Sequence, residues 1–479
     1  MAPSAQGRQT VIVIGSGLAG LSAASAALRS SITDVVLLER AAKPGGNSIK
    51  ASSGINGAPT RFQQQSSRDL AFFSDTVRSA GGRISQGEPN SARRKRLISL
   101  LTERSAAAVH FLADDIGVDL TVVAQLGGHT VPRTHRGAGK TPPGADIVSK
   151  LVAVLQKNNR FHLKTGCEVT KLLTRTSDTT TVVGVEYRFD NQLFSIAGPV
   201  VFATGGFAGD GDGMLARYRP DLASLPSTNE PRPGMHGLLT SAGAQVVDMD
   251  SVQVHPTGFV DPLAPNSHVK FLAAEMLRGE GGILLYKGKR FVNELGTREH
   301  VSSTIMGLEP SSGPSRQWDV QVLLDPGACV AAASHVAFYI WKGLLSRMKV
   351  SELDEATRET IREYSQAAAG KTSDVFGRVA FGHWVLAGGT EDNDKEVCVG
   401  WVTPVTHFTM GGVVINDKSE VMTSTLDANE ETAIPGLWAA GEVTGGIHGD
   451  NRLGGSSLLE CVVFGCIAGE QASAKAVVR

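Results

Sequence analysis

Cysteine is scarce in this chain of 479 residues: Cys167, Cys329, Cys398, Cys461 and Cys466 make an odd and scattered set of five. None falls in a Cys-x-x-Cys or Cys-x-x-Cys-His pattern and no histidines stand at zinc spacing. Disulfide scaffolds, structural metal (none is expected), covalent haem and iron–sulfur ligation are therefore argued against. Charge of one sign is lacking too: 46 Lys+Arg against 47 Asp+Glu leave a formal net charge of −1, which gives no bias towards nucleic acid. No apolar run reaches the ~18 residues of a membrane-spanning helix, and Met1 to Gln9 lacks the charged-then-apolar profile of a signal peptide. The expectation is a cytoplasmic protein with no membrane span, although an organelle-processed or trimmed N-terminus would read the same.

What the chain does have is ordinary globular composition, 41% hydrophobic and 19% charged, at a length that calls for two or more domains. It is rich in glycine, with 55 residues and no Gly-X-Y period; such glycines serve tight turns and close backbone approach. From Val11-Ile12-Val13-Ile14 the sequence passes into Gly15-Ser16-Gly17-Leu18-Ala19-Gly20 and then an alanine-rich stretch, which predicts strand, glycine turn and helix. A second strand, Val35-Val36-Leu37-Leu38, ends in Glu39, 19 residues after Gly20. That is the spacing of the acid that accepts from a nucleotide ribose hydroxyl.

Two further apolar strands stop on glycine. Val200-Val201-Phe202-Ala203 leads into Thr204-Gly205-Gly206, and Gly436-Leu437-Trp438-Ala439-Ala440 into Gly441-Glu442. Ligands of open α/β sheets lie beyond the carboxyl ends of the strands, so three such endings imply one long ligand crossing one sheet. Asn451-Arg452-Leu453-Gly454-Gly455-Ser456-Ser457 then opens a helical run, Leu458 to Ala476, whose N-terminus offers free N–H groups and a positive dipole end. Between these blocks, about 250 to 406, the texture changes to loops, four tryptophans and a charged helical run from Glu352 to Gln366. Residues 300–317 and 385–397 read as surface loops. The expected fold class is α/β, a Rossmann-like nucleotide-binding domain (1–249 and 407–479) with an inserted α+β capping domain (250–406).

Taken together the sequence resembles the soluble fumarate reductases, within the succinate dehydrogenase/fumarate reductase flavoprotein superfamily, over nearly its whole length. The carriers are Gly15 to Gly20 with Glu39, Lys43-Pro44-Gly45-Gly46-Asn47-Ser48, Ala203-Thr204-Gly205-Gly206, His255-Pro256-Thr257 and Leu277-Arg278-Gly279-Glu280-Gly281-Gly282. They continue with Arg290-Phe291-Val292-Asn293-Glu294, Thr297-Arg298, His407-Phe408-Thr409-Met410-Gly411-Gly412, Ala440-Gly441-Glu442 and Asn451-Arg452-Leu453-Gly454-Gly455. The resemblance implies FAD, held by Gly15, Gly17, Gly20, Glu39, Gly45, Gly46, Asn47, Ser48, Ser53, Gly54, Thr204, Gly205, Glu442, Ser457 and Leu458. Membrane-bound relatives tether FAD through a histidine shortly after the Gly-Gly; here Asn47 to Asn56 contains none, so the flavin is expected to be non-covalent.

The reaction implied is reduction of fumarate to succinate, with hydride from flavin N5 and a proton from an arginine. By resemblance His255, Thr257, His407 and Arg452 bind the substrate carboxylates, and Arg298 delivers the proton, reloaded through Glu275 and Arg278. An arginine is a weak acid near neutrality, but the carbanion formed by hydride addition is strongly basic. Glu275 and Arg278, spaced i, i+3, would share one helix face; Glu294 and Arg298, spaced i, i+4, could instead form an ordinary ion pair. Ala274 stands where several bacterial relatives carry a substrate-touching threonine.

The segment Gly127 to Arg136, with His129, Arg133, His135 and Arg136, either lines the flavin edge or forms a basic surface loop. Cys461 and Cys466, i, i+5 on the last helix, read as core rather than a redox pair. Alternatives on the same fold are an L-aspartate oxidase, a urocanate or ketosteroid reductase or dehydrogenase, and a succinate dehydrogenase subunit; a non-catalytic flavin electron carrier is the other class. Five tyrosines argue against a steroid pocket with a tyrosine acid. Electrons would come from a free reduced flavin or a separate donor protein.

Overall fold

The computed structural model describes residues 8–63, 69–85, 88, 90–139, 141–175, 178–423 and 432–476. The chain forms two compact units: Met1–Phe207, Gly234–Val252 and Thr409–Arg479 make the first, and Ala208–Pro233 with Gln253–Phe408 the second. The sequence boundaries leave 208–233 with the nucleotide-binding part. In the structure it joins the second unit because Ser227 bridges in parallel to both Val269 and Thr406, and its hydroxyl lies against the carbonyls of Ala208 and Thr406.

The first unit is built on a six-stranded sheet in the order Glu420–Met422, Ala433–Ala439, Val200–Phe202, Gln9–Ile14, Thr33–Glu39, Phe161–Thr165. All neighbours pair in parallel except the antiparallel edge strand Glu420–Met422. Val11, Ile12 and Val13 are wholly buried, as expected of β-branched runs covered on both faces of a parallel sheet. The register aligns Ile14, Phe202 and Ala439, so the three glycine-ended strands finish side by side.

The first helix, Leu18–Ala27, packs on the last, Ser456–Ala476. Their contact is close because it is made by small residues. A Cβ on Gly465 would fall 2.5 Å from the Ala19 carbonyl oxygen, and one on Gly469 2.1 Å from that of Ala23.

The second unit has a six-stranded sheet, five strands of which run in the order Phe271–Leu272, Val252–Phe259, Glu396–Thr409, Val320–Leu324, Ile283–Tyr286, with the sixth, Ser346–Lys349, also pairing with Glu396–Thr409. Ile283, Leu285, Leu323, Val397 and Val399 pack with Ile361 and Tyr364 in its core. The stretch 300–317 is not one loop. Its first part belongs to the helix Arg298–Met306, which starts where the Thr297 hydroxyl oxygen accepts from His300 N at 3.2 Å.

Candidate active site

In the first unit the carboxyl ends of the three aligned strands carry the residues expected to hold a dinucleotide. Gly15 turns the chain at φ +97°, and a Cβ there would sit 2.4 Å from the Ala203 carbonyl oxygen. Only glycine fits that combination of left-handed backbone and close approach. Gly17 precedes the first helical turn without a side-chain cap, and Gly20 abuts Gly15 so closely that a Cβ would lie 1.9 Å from its carbonyl oxygen.

Glu39 is buried; one carboxylate oxygen accepts from Ser16 N at 2.9 Å and Ser16 Oγ at 2.5 Å, the other from Ala41 N at 2.7 Å. Its free lone pairs remain available to a ribose. Gly45 donates to Ser16 Oγ at 3.1 Å and Gly46 lies beside Gly17. Ser48, following Asn47 in a short turn, accepts from Leu18 N at 3.1 Å. Ser53 and Gly54 continue the same segment, Gly54 tight against the His135 carbonyl.

A cofactor of this shape fits several features that are otherwise unexplained. Thr204 Oγ1 and Ser52 Oγ are buried without a hydrogen-bond partner among the described residues, and a Cβ on Gly205 would meet open space. Ser457 and Leu458 occupy the first turn of the final helix, behind Gly454 and Gly455. Glu442 is half-buried, and its Oε1 accepts from Thr409 N at 2.9 Å and lies 3.3 Å from Thr409 Oγ1. Burial pushes its carboxyl up to about 7, with Glu460 adding to the rise and the Thr409 amide and Arg452 opposing it. Arg452 is itself buried, its Nη1 donating to the Leu453 carbonyl at 3.3 Å.

The second unit gathers the other expected residues. Arg298, at the start of its helix, donates from Nε and Nη2 to one oxygen of Glu275 at 2.9 and 2.5 Å and from Nη1 to Gln253 Oε1 at 2.9 Å. His255 is buried and its Nδ1 accepts from Thr257 N at 3.2 Å. A backbone amide can only donate, so the ring proton sits on Nε2, which is buried and has no hydrogen-bond partner among the described residues. Burial, followed by the neighbouring Arg298, His407 and Arg278, holds this imidazole well below its usual titration range. It is therefore a neutral N–H donor at pH 7. Thr257 donates to the Ala273 carbonyl at 3.2 Å, and the His407 ring, 5.7 Å from that of His255, bonds Thr228 Oγ1 through Nδ1 at 3.0 Å.

A family of FAD-binding domains matches residues 10–458. A fumarate reductase of Schizosaccharomyces pombe is 41% identical over 96% of this chain and 89% of its own, and fumarate reductase 1 of Saccharomyces cerevisiae 40% identical over 96% and 97%. The chain belongs to the FAD-dependent fumarate reductases. The solved open form of a flavocytochrome c3 fumarate reductase superposes with a TM-score of 0.77 at 29% identity, over 99% of this chain and 80% of that one. Among the described residues of this fumarate reductase no helix is long and apolar enough to cross a membrane.

Two of the pairings expected in the reductase from spacing are different in space. Glu294 does not serve Arg298: its wholly buried carboxylate accepts from Arg290 Nε at 2.8 Å, Arg290 Nη2 at 2.9 Å, Arg378 Nη1 at 3.0 Å and Leu284 N at 3.2 Å. Nor do Glu275 and Arg278 share an open helix face. The helix is one turn, Met276–Gly279, with Glu275 at its cap; Arg278 points inward, Nη1 donating to the Glu294 carbonyl at 2.6 Å, with Nε and Nη2 buried and without a hydrogen-bond partner among the described residues. Burial lowers the affinity of Arg278 for its proton, and Glu275 acts against this.

In the segment Gly127 to Arg136 the basic residues His129, Arg133 and His135 are buried and do not form a basic surface. Arg133 is completely buried and paired with Asp69 at 2.6 Å and Asp75 at 2.8 Å, while His129 Nε2 bonds the Gly454 carbonyl at 2.9 Å. His135, buried with its Nδ1 on the Arg133 carbonyl, is pushed down to about 4 by desolvation. Sequence reasoning missed Gln253, Thr228 and Arg378, whose only signal is their place against residues remote in the chain. It also missed Tyr339, which accepts from Ala274 N at 3.1 Å and so occupies the amide beside the missing threonine.

Proposed function

We propose that the chain reduces fumarate to succinate with Arg298 as the proton donor and Glu275 and Arg278 as the groups that reload it. The observation that carries this reading is the fixed guanidinium of Arg298, held through all three nitrogens by Glu275 and Gln253, with Arg278 buried behind, two of its nitrogens without a hydrogen-bond partner among the described residues. A guanidinium stays protonated at physiological pH, so the donor is loaded in every cycle, and the basic carbanion supplies the driving force. Glu275, part-exposed at 24%, is the member open to water and returns the proton to Arg298.

His255 donates from Nε2 to a substrate carboxylate without bringing a charge of its own, and His407 and Thr257 contribute further polar contacts. Arg452 supplies the positive charge that a dianion requires, a guanidinium being able to bind a carboxylate through two parallel hydrogen bonds. FAD, held by the glycine turns, Glu39, Glu442 and the final helix N-terminus, supplies the hydride when bound and reduced. The flavin is non-covalent on this reading, since Asn47 to Asn56 contains no histidine, and its electrons come from a free reduced flavin or a separate donor protein.

Two measurements test this. Acid precipitation is expected to leave intact FAD in the supernatant; colour staying with the polypeptide would overturn non-covalent binding. Reduced flavin in the protein is expected to be reoxidised by fumarate and not by urocanate, crotonate or a ketosteroid, and the opposite selectivity would overturn the substrate assignment.

A further inference from the structure

We propose that Cys329 and Cys398 form a reversible dithiol–disulfide pair. They stand 69 positions apart in sequence, and the fold brings them together by a specific route. Val320–Leu324 and Glu396–Thr409 pair antiparallel with Leu324 directly opposite Cys398. Just past Leu324 the chain turns into the helix Pro326–Ala331, capped by Asp325, whose carboxylate accepts from Ala328 N at 2.9 Å. That turn carries Cys329 back over the ladder: its Sγ lies 3.7 Å from the carbonyl oxygen of Leu324, the residue directly opposite Cys398, so the two thiols lie close enough to influence each other's ionisation.

The two sulfurs are not equivalent. Cys398 is 1% exposed, whereas Cys329 is half-buried beside the exposed Val330. On the other side of Cys398 its cross-strand partner is Arg347, and directly opposed residues share a face. The neighbouring Cys329 thiol, and then the Arg347 cation, hold Cys398 below the usual thiol range against the effect of burial. A thiolate is the nucleophile in disulfide exchange. Cys461 and Cys466 differ in this respect, since burial pushes both thiols up.

The half-exposed Cys329 is the entry point, its attack slowed because the Cys398 interaction and burial push its thiol up, and Cys398, held lower, is the resolving thiol. With a small disulfide as oxidant, Cys329 attacks one of its sulfurs and expels the first thiol, which leaves with a proton; Cys329 is now a mixed disulfide. Cys398 then attacks Cys329 Sγ and expels the second thiol. Two protein thiols lose two electrons and two protons, and one small disulfide becomes two small thiols.

The test incubates the full-length FAD-loaded protein with oxidised glutathione, alkylates the remaining thiols under denaturing conditions and maps the peptides. The expected result is that three of the five cysteines remain alkylatable, that one cross-linked peptide joins Cys329 to Cys398, and that dithiothreitol restores all five. Cys398→Ser should instead accumulate glutathione on Cys329, and Cys329→Ser should lose no alkylation site. Five alkylatable cysteines in the treated parent, a stable glutathione adduct on its Cys329, or a cross-link between any other pair would each overturn the proposal.

Discussion

Arg298→Ala separates a proton donor from a structural ion pair, because the two roles predict losses in different measurements. The guanidinium makes three hydrogen bonds to Glu275 and Gln253, and the ion-paired side chains keep 11% and 24% of their surface exposed. A static pair so placed, discounted for solvent screening, contributes about 1–2 kcal/mol to folding. A positioned proton donor is worth on the order of 10²–10⁴ in rate, roughly 3–5 kcal/mol of barrier. The assay is anaerobic reduction of the bound flavin followed by rapid mixing with fumarate, with turnover expressed per bound flavin and a parallel thermal melt. The variant is expected to keep its FAD and bind fumarate only moderately less tightly while flavin reoxidation collapses. Arg298→Lys should recover a small part, since an ammonium is also a protonated donor but lacks the planar fork. Glu275→Gln, which cannot ionise, should also slow turnover severely. Activity of Arg298→Ala above a few per cent of the parent would refute the reasoning.

Glu442→Gln tests the raised carboxyl through pH. Its folded-state value, raised from 4.5 to about 7, means that the protonated form is favoured in the fold. The stabilisation is fully present below about pH 4.5 and is lost as pH rises through about 7, a change of roughly 3 kcal/mol. The unfolding free energy of FAD-free parent relative to Glu442→Gln should fall across that window, and a flat difference would count against it. Glu294→Gln strips the charge that balances the buried Arg290 and Arg378, with an expected loss of about 3–5 kcal/mol by chemical unfolding; a change below about 1 kcal/mol would show that the network is dispensable. Glu39→Ala leaves Ser16 N and Ala41 N without their acceptor and should weaken FAD binding in a fluorescence titration. An unchanged affinity would remove Glu39 from the nucleotide site.

The nucleotide-binding frame was legible because its signals are local. Val11 to Gly20 spells strand, turn and helix within ten residues, and Glu39 follows at a distance set by one βαβ unit. What the sequence could not show is which remote residues meet. Arg298 has carboxylates at 275 and 294, and spacing favours the nearer one; the fold gives Glu294 to Arg290 and Arg378 because all three are sealed in the same core. Arg133 looked like part of a basic surface because its neutralising partners, Asp69 and Asp75, lie about sixty residues upstream. The helix Arg298–Met306 was hidden in a polar stretch, although Thr297 is a fair capping signal. Segment 208–233 carries no textural break, and only its strand bridges assign it to the second unit.

The close fit of the last helix on the first has a consequence for biosynthesis. Gly465 follows Ala19 by 446 positions, so at about 5–20 residues per second a nascent chain waits roughly 20–90 s on the ribosome before the surface beside Ala19 and Ala23 receives its partner. That surface is made of alanine and serine, which attract little during the delay, whereas a leucine-faced helix would invite aggregation. The small residues needed for the tight contact thus also leave the first helix with little to attract other chains until the last helix has been made.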